Sequence, residues 1–202
     1  MKIIKASIEI LAGTSNILQT IEKAGRTCYK SESKITDNSA DNFIKNIIKR
    51  GHESVIEHGS LTVRVICDRG VSHEIVRHRI ASYSQESTRY VNYKEGIEVI
   101  KPCFWEDNPQ AYHLWEQYMD VIERGYKNLI ESGATPEQAR TVLPNSLKTE
   151  IVMTMNLREW RHFLKIRCEK HSHPQIREIA FLILEKFQDV LPSVFGDLSK
   201  EK

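Results

Sequence analysis

Two β-branched runs, Leu61 to Cys67 and Leu147 to Met155, are each followed at once by a side chain suited to capping a helix, Asp68 in the first case and Asn156 in the second. That junction restricts the fold more than any other feature, because each run must leave a sheet and enter a helix with almost no connecting loop. Two further strands are expected from the loose apolar alternation of Ile3 to Leu11 and from the short run Ile97 to Lys101. Helical spacing appears at Ile17 to Ile21 and again at Phe43, Ile44, Ile47 and Ile48, where Gly51 supplies a stop.

Asp68 is expected to open a short helix through Glu74 to His78, and Asn108-Pro109 a long one reaching Gly133. Thr135 with Gln138, and Asn156 with Glu159, both have the spacing of a reciprocal capping box. The second of these predicts a helix to about His171. A final helix from Pro174 places Ile176, Ile179, Ala180, Ile183, Leu184 and Phe187 on one buried stripe. Ile80 to Tyr93 shows no sustained period and reads as a loop, and the tail after Gly196 is expected to fray. The pattern is that of an α+β protein, one domain over residues 1–202, since 202 residues suit one buried core.

Charge and cysteine content narrow the function classes. The chain has 29 basic and 27 acidic residues, a net charge of +2, which is not the strong positive excess of a dedicated nucleic-acid-binding domain. Its four cysteines, Cys28, Cys67, Cys103 and Cys168, form no CxxC pair and predict a reducing compartment. Lys5 and Glu9 interrupt the N-terminal apolar stretch, so no signal peptide is expected, and no uncharged run reaches the ~18 residues of a membrane span. A soluble, cytoplasmic protein with no membrane partner is the expectation.

No GxGxxG follows a strand and no GxxxxGK[ST] occurs, so any phosphate must be held without a glycine-rich cradle. The stretch RHRIASYSQESTRY, residues 77–90, offers a substitute. Ser82, Ser84, Ser87 and Thr88 are hydroxyl donors, and Arg89 presents a guanidinium fork that matches phosphate oxygens. A solvated basic loop whose hydroxyls serve as turn residues is the competing reading. Arg167 shares a helical stripe with Trp160, Leu164 and His171, the face expected to be buried. A charge there needs a carboxylate or an anionic ligand, unless its stem merely carries the head to water at the helix end. The segment GHESVIEH, residues 51–58, fails the HExxH test because Ile56 stands where histidine is required, and His52 and His58 lie about 240° apart around a helix. Cys28 lacks an evident histidine partner and reads as a small buried residue.

Laid side by side, these segments resemble the flavin-dependent thymidylate synthases. The resemblance rests on Arg77-His78-Arg79, seven residues and then Ser87, followed by Arg89-Tyr90. GRTCYKS (25–31), GHESVIEH, ARTVLPN (139–145), Asn156 with Arg158 and Trp160, and HFLKIRCEKH (162–171) extend it over residues 25 to 180. It implies reductive methylation of dUMP to dTMP, with 5,10-methylenetetrahydrofolate as one-carbon donor and NADPH as reductant through bound FAD. It implies a fold with a mainly antiparallel central sheet flanked by helices. It further implies that Glu74, Arg77, Gln85, Glu86, Ser87, Arg89 and Arg140 bind dUMP, and that Arg167 activates it by stabilising negative charge on the uracil ring. For FAD it implies His52, Ser54, Glu57, Arg77, His78, Arg79, Gln85, Asn156, Arg158 and His162. It also implies a homotetramer with shared active sites, no metal, and no protein nucleophile, Ser87 being a phosphate ligand. Glu74 and His162 replace the glutamine and asparagine of some members, and a carboxylate cannot donate as an amide does.

Two rival readings make different predictions. A nucleic-acid module would use Arg77, Arg79 and Arg89 on phosphates and stack bases on Tyr83 and Tyr90. A metallohydrolase would draw on His52, His58 and other histidines.

Overall fold

β-branched side chains fill a half-buried pleat well, and the two longest such runs become the centre of the molecule. In the computed structural model, which describes residues 1–199, the chain order begins β1 (Lys2–Ile4), β2 (Ser7–Gly13), α1 (Ile17–Thr27) and α2 (Ser39–Lys49). It continues with β3 (Ser60–Asp68), α3 (Arg69–Ile75), β4 (Ser82–Gln85), β5 (Glu98–Ile100), α4 (Pro109–Glu131) and α5 (Pro136–Ala139). β6 (Lys148–Asn156), α6 (Leu157–Arg167), α7 (Pro174–Val190) and α8 (Pro192–Phe195) complete it.

A four-stranded sheet has the order β2-β3-β6-β4, and all three of its pairings are antiparallel. The register Val65↔Ile151 and Val63↔Met153 puts four buried side chains on one face, where Trp160, Phe163, Phe187 and Phe195 also lie in the main core. Each such fully buried side chain contributes about 1.5–3 kcal/mol. A separate parallel pair, β1 with β5, carries a smaller apolar cluster of Ile97, Val99, Trp115, Met119 and Leu147.

The α+β expectation, with a mainly antiparallel sheet between helices, holds. Both strand-to-helix junctions form as expected: Asp68 accepts from Val71 N at 2.8 Å, and Asn156 from Glu159 N at 2.8 Å. Thr135 and Gln138 make the reciprocal capping box, and all six apolar positions of α7 are buried.

Several expectations need correction. The first strand is two: residues 2–4 pair with β5 while residues 7–13 pair with β3, because Lys5 and Ala6 divide them between the two sheets. The expected loop at 80–93 contains β4, an edge strand on β6 whose outward side chains are serines, so no apolar alternation announced it. α6 stops at Arg167 rather than near His171, which is exposed, and Ser172 Oγ donates to the Ile166 carbonyl at 2.9 Å to close the end. At the other end of α6, Glu159 does not reciprocate the Asn156 cap, since its carboxylate lies 3.5 Å from His78 instead.

The segment after Gly196 does not fray through residue 199. Asp197 pairs bidentately with Arg161 at 2.6 and 2.7 Å, and Gln188 Nε2 donates to the Leu198 carbonyl at 2.9 Å. The end of the tail lies outside the described residues.

Candidate active site

The strand β6 delivers α6 across the end of the sheet, and the last turn of α6 brings Arg167 against the C-terminal end of α3. Arg167 Nε donates to His78 Nε2 at 3.0 Å, Nη1 to Glu74 Oε2 at 3.1 Å, and Nη2 to the Glu74 carbonyl at 3.1 Å. The charge expected to need a partner therefore has one. Its side chain is 15% exposed, and of its five N–H donors some remain uncommitted.

His78 sits 7% exposed between Arg167 and Phe163, whose ring is 4.9 Å away edge-on. Burial, then the Arg167 guanidinium and His162, lower its pKa to about 4. The imidazole is therefore neutral at pH 7. Its neighbours in sequence, Arg77 and Arg79, turn outward and are exposed. Among the described residues no carboxylate pairs with either.

The rest of the arginine-rich stretch divides into internal and surface parts. Gln85 Nε2 donates to Ser72 Oγ at 2.9 Å and Thr149 Oγ1 at 3.2 Å, which fixes its amide at the sheet edge. Glu86 accepts from Tyr93 Oη at 2.8 Å and Lys148 Nζ at 3.1 Å, so its carboxylate is already satisfied inside the fold. Ser87 Oγ accepts from Arg89 N at 3.3 Å, shaping the turn. Arg89 meets Glu137 at 2.8 Å, and Arg140 Nη1 reaches Thr88 Oγ1 at 3.4 Å, so the first turn of α5 and the residues after it gather both arginines beside the loop.

Beside Arg167's helix lies an open cleft of ≈ 510 Å³, lined by Asn156, Arg158, Glu159 and His162 of β6 and α6, with Glu57 and Ile80 among the residues facing them. A second cleft of ≈ 420 Å³ shares Glu53 and Arg158 with the first and adds His52, Ser54, Cys28 and Tyr29. Arg158, which is exposed, pairs with Glu57 at 2.6 Å. Each volume is in the range of small-molecule sites.

The structure thus brings together Glu74, His78 and Arg167 at one locus. Gln85, Ser87, Arg89 and Arg140 lie on the loop and its α5 neighbour. His52, Ser54, Glu57, Asn156, Arg158 and His162 line the two clefts. Glu53, Glu159 and Lys165 also line the larger cleft and were not anticipated from sequence. Glu159 and Lys165 carried a signal: they stand three residues before and after His162, hence on the same helix face. Cys28 is exposed rather than buried, because it follows the last turn of α1.

Fold and site together define a class: an α+β protein whose antiparallel sheet carries a half-buried, doubly held arginine beside open polar clefts and a hydroxyl- and arginine-rich loop. A family model described as thymidylate synthase complementing protein matches residues 9–193. The chain belongs to that family. Among its relatives is the flavin-dependent thymidylate synthase of Mycobacteroides abscessus, 36% identical over 195 residues, covering 88% of this chain and 78% of the relative. That of Geobacter sulfurreducens is 35% identical over 198 residues, covering 94% and 85%. Among solved structures, a UMP/dUMP methylase PolB from Streptomyces cacaoi, bound with 5-Br dUMP, shares the fold with a TM-score of 0.82, 23% identity and coverage of 97% and 96%.

Proposed function

We propose that this chain is a flavin-dependent thymidylate synthase, converting dUMP to dTMP with 5,10-methylenetetrahydrofolate as one-carbon donor and NADPH as reductant. The observation that carries the reading is Arg167, fixed by Glu74 and His78 with donors to spare, in a chain of this family. A guanidinium held in a water-poor site stabilises negative charge as it develops on a uracil ring, and needs no reorganisation to do so. Arg77, Arg89 and Arg140 supply the forks that suit the substrate's phosphate, with Ser87 as hydroxyl donor and Gln85 placed for the nucleoside. Glu86, spent on Lys148 and Tyr93, serves the site by shaping the loop.

The donor set of the two clefts fits FAD. Arg158, His52 and His162 suit phosphate oxygens, while Asn156, Ser54 and Glu57 suit hydroxyls and ring edges. Bound FAD would supply the hydride, drawn from NADPH, that completes the methyl group. His78 and Arg79 flank the same region, one buried and one exposed. No protein nucleophile is assigned: among the described residues Ser87 Oγ has no hydrogen bond to a base, and it accepts a backbone N–H.

The functional unit we propose is a cytoplasmic homotetramer of single-domain chains with shared active sites. Exposed Arg77 and Arg79, together with Ile80 at 67% and Tyr90 at 79% exposure, support assembly around this stretch. Among the described residues no helix is long and apolar enough to cross a membrane. The test is the visible spectrum of the purified protein titrated with dUMP, followed by dTMP formation with methylenetetrahydrofolate and NADPH. A flavin spectrum that shifts with dUMP, and dTMP that requires all three substrates, are expected. A colourless protein that gains no activity with added FAD would overturn the reading.

A further inference from the structure

Glu159 has no place in the reaction as proposed, yet it is one of the few buried carboxylates among the described residues, 8% exposed. Burial raises its pKa, with His162 opposing, and Oε1 lies 3.5 Å from His78 Nδ1. On the far side of the same ring, His78 Nε2 receives the Arg167 Nε–H at 3.0 Å. We infer that Glu159 is a positioning residue for Arg167 and acts through His78: its carboxylate holds the imidazole proton on Nδ1, which leaves Nε2 as the acceptor that fixes the guanidinium.

The chemistry of the donors requires this order. A guanidinium N–H can only donate, so Nε2 must be the unprotonated nitrogen and a neutral ring must carry its proton on Nδ1. The opposite tautomer sets N–H against N–H and drives Arg167 from its seat. An imidazolium would do the same and add a like charge. The imidazole ring by itself does not fix one tautomer strongly, so its neighbours have to: Arg167 requires an open Nε2, and the Glu159 carboxylate facing Nδ1 favours the same form from the other side of the ring. The charged and titratable groups facing the ring are Arg167, Glu159 and His162 from α6, and Glu74, at the end of α3, is tied to it through Arg167.

The ring itself cannot drift. Tyr83 Oη, on β4, donates to the His78 carbonyl at 2.6 Å and the Ile75 carbonyl at 3.0 Å, and the ring packs edge-on against Phe163 at 4.9 Å. Glu159 and Arg167 lie eight positions apart on one rigid helix, so His78 bridges its first and last turns. Glu74 fixes the Nη side of the guanidinium and His78 the Nε side. With both held, the remaining N–H groups keep one direction.

A second use of the same side chains would compete with this one. Ligand atoms of His78, Glu159 and His162 lie within 4.8 Å of one another, the spacing of a transition-metal site. A cation there would need a lone pair on His78 Nδ1. That nitrogen carries the proton for as long as Arg167 occupies Nε2.

The inference rests on the proposed role of Arg167, but part of its test does not. In 15N-histidine-labelled protein, with the His78 signals assigned by their loss in His78→Gln, the Nδ1–H tautomer is expected at pH 7 without any ligand. Finding Nε2–H instead would overturn the inference whatever the protein catalyses. Glu159→Leu is expected to mix the tautomers and lower kcat by ~10–100-fold, the cost of a slightly misplaced charge, while flavin content and the dUMP-induced spectral shift stay within about threefold. Glu159→Gln, whose side-chain carbonyl can also face Nδ1–H as an acceptor, is expected to recover kcat to within about threefold of wild type. Undiminished kcat in the leucine variant, or a glutamine variant as slow as leucine, would sink the idea, as would one tightly retained equivalent of zinc that displaces the Nδ1–H signal. Should the leucine variant fail to fold, the tautomer in the wild type and the kcat of the glutamine variant still decide. A protein with no synthase activity but an Nδ1–H tautomer lost in Glu159→Leu would refute the proposed function and leave the positioning chain standing.

Discussion

Arg161 and Arg167 are both cations of α6 held inside the fold, yet they do different work. Arg161, 2% exposed, spends its donors on Glu53, Asp197 and the Val194 carbonyl, and ties the C-terminal segment to the helix. Arg167 donates only to His78 and Glu74 and keeps further donors free. Arg167→Lys is therefore expected to lower kcat ~100-fold or more, because lysine is a point charge that cannot fill the His78 and Glu74 contacts together, while flavin content changes by less than about threefold. Steady-state kinetics beside a flavin titration checks this, and unchanged turnover would remove Arg167 from the mechanism. His78 gives a pH signature. Its pKa in the fold is about 4, below the unfolded value of 6.5, so the unfolded chain binds more protons between these limits. The stabilisation is complete above pH 6.5 and is lost as pH falls toward 4, a cost of roughly 2–3 kcal/mol at pH 4.5. Urea unfolding of wild type and His78→Gln should show the extra pH slope only in the former. Sequence showed that Arg167 needs a partner on an apolar stripe; that Glu74 and His78 supply it was not legible, because they lie 93 and 89 residues away.

Among the elements, those set by local chemistry were legible and those set by partners were not. The caps at Asp68, Asn156 and Thr135 are short-range bonds, and each was readable from residue type and spacing. β4 is the contrary case: Ser82 to Gln85 is a strand because β6 offers it an edge, and nothing in its own composition demands pairing. Packing between α1 and α2 is close in the same non-local sense. A Cβ added at Gly25 would lie 2.6 Å from the Phe43 ring and 3.0 Å from Val55. Gly25→Ala is thus expected to cost ~1–3 kcal/mol in chemical denaturation, and Gly25→Ala with Phe43→Leu to recover part of it. Full additivity of the two losses would show that the contact is not the cause.

At the scale of the molecule, the question is how arginines on separate elements reach one substrate. Arg77 is exposed at the end of α3, while Arg89 and Arg140 meet at α5. The tetramer with shared sites proposed above would answer it, and complementation tests that proposal. Arg77→Ala and Arg167→Ala are each expected to be nearly inactive, but if one chain lends Arg77 to another's Arg167, subunit exchange between the two regenerates about a quarter of the sites. No recovery after exchange, in a species that sediments as a tetramer, would place both residues in one chain. What the sequence determined by itself was the alternation of strands with capped helices, the buried stripe of α7 and the cationic inventory, since periodicity and capping act over a few residues. Only the tertiary structure decided that the first strand divides between two sheets, that Glu86 is spent on Lys148 and Tyr93, and that Glu159, His78 and Arg167 form one chain of contacts. Those outcomes depend on which distant backbone segments the sheet brings within hydrogen-bonding reach, and no local pattern encodes that distance.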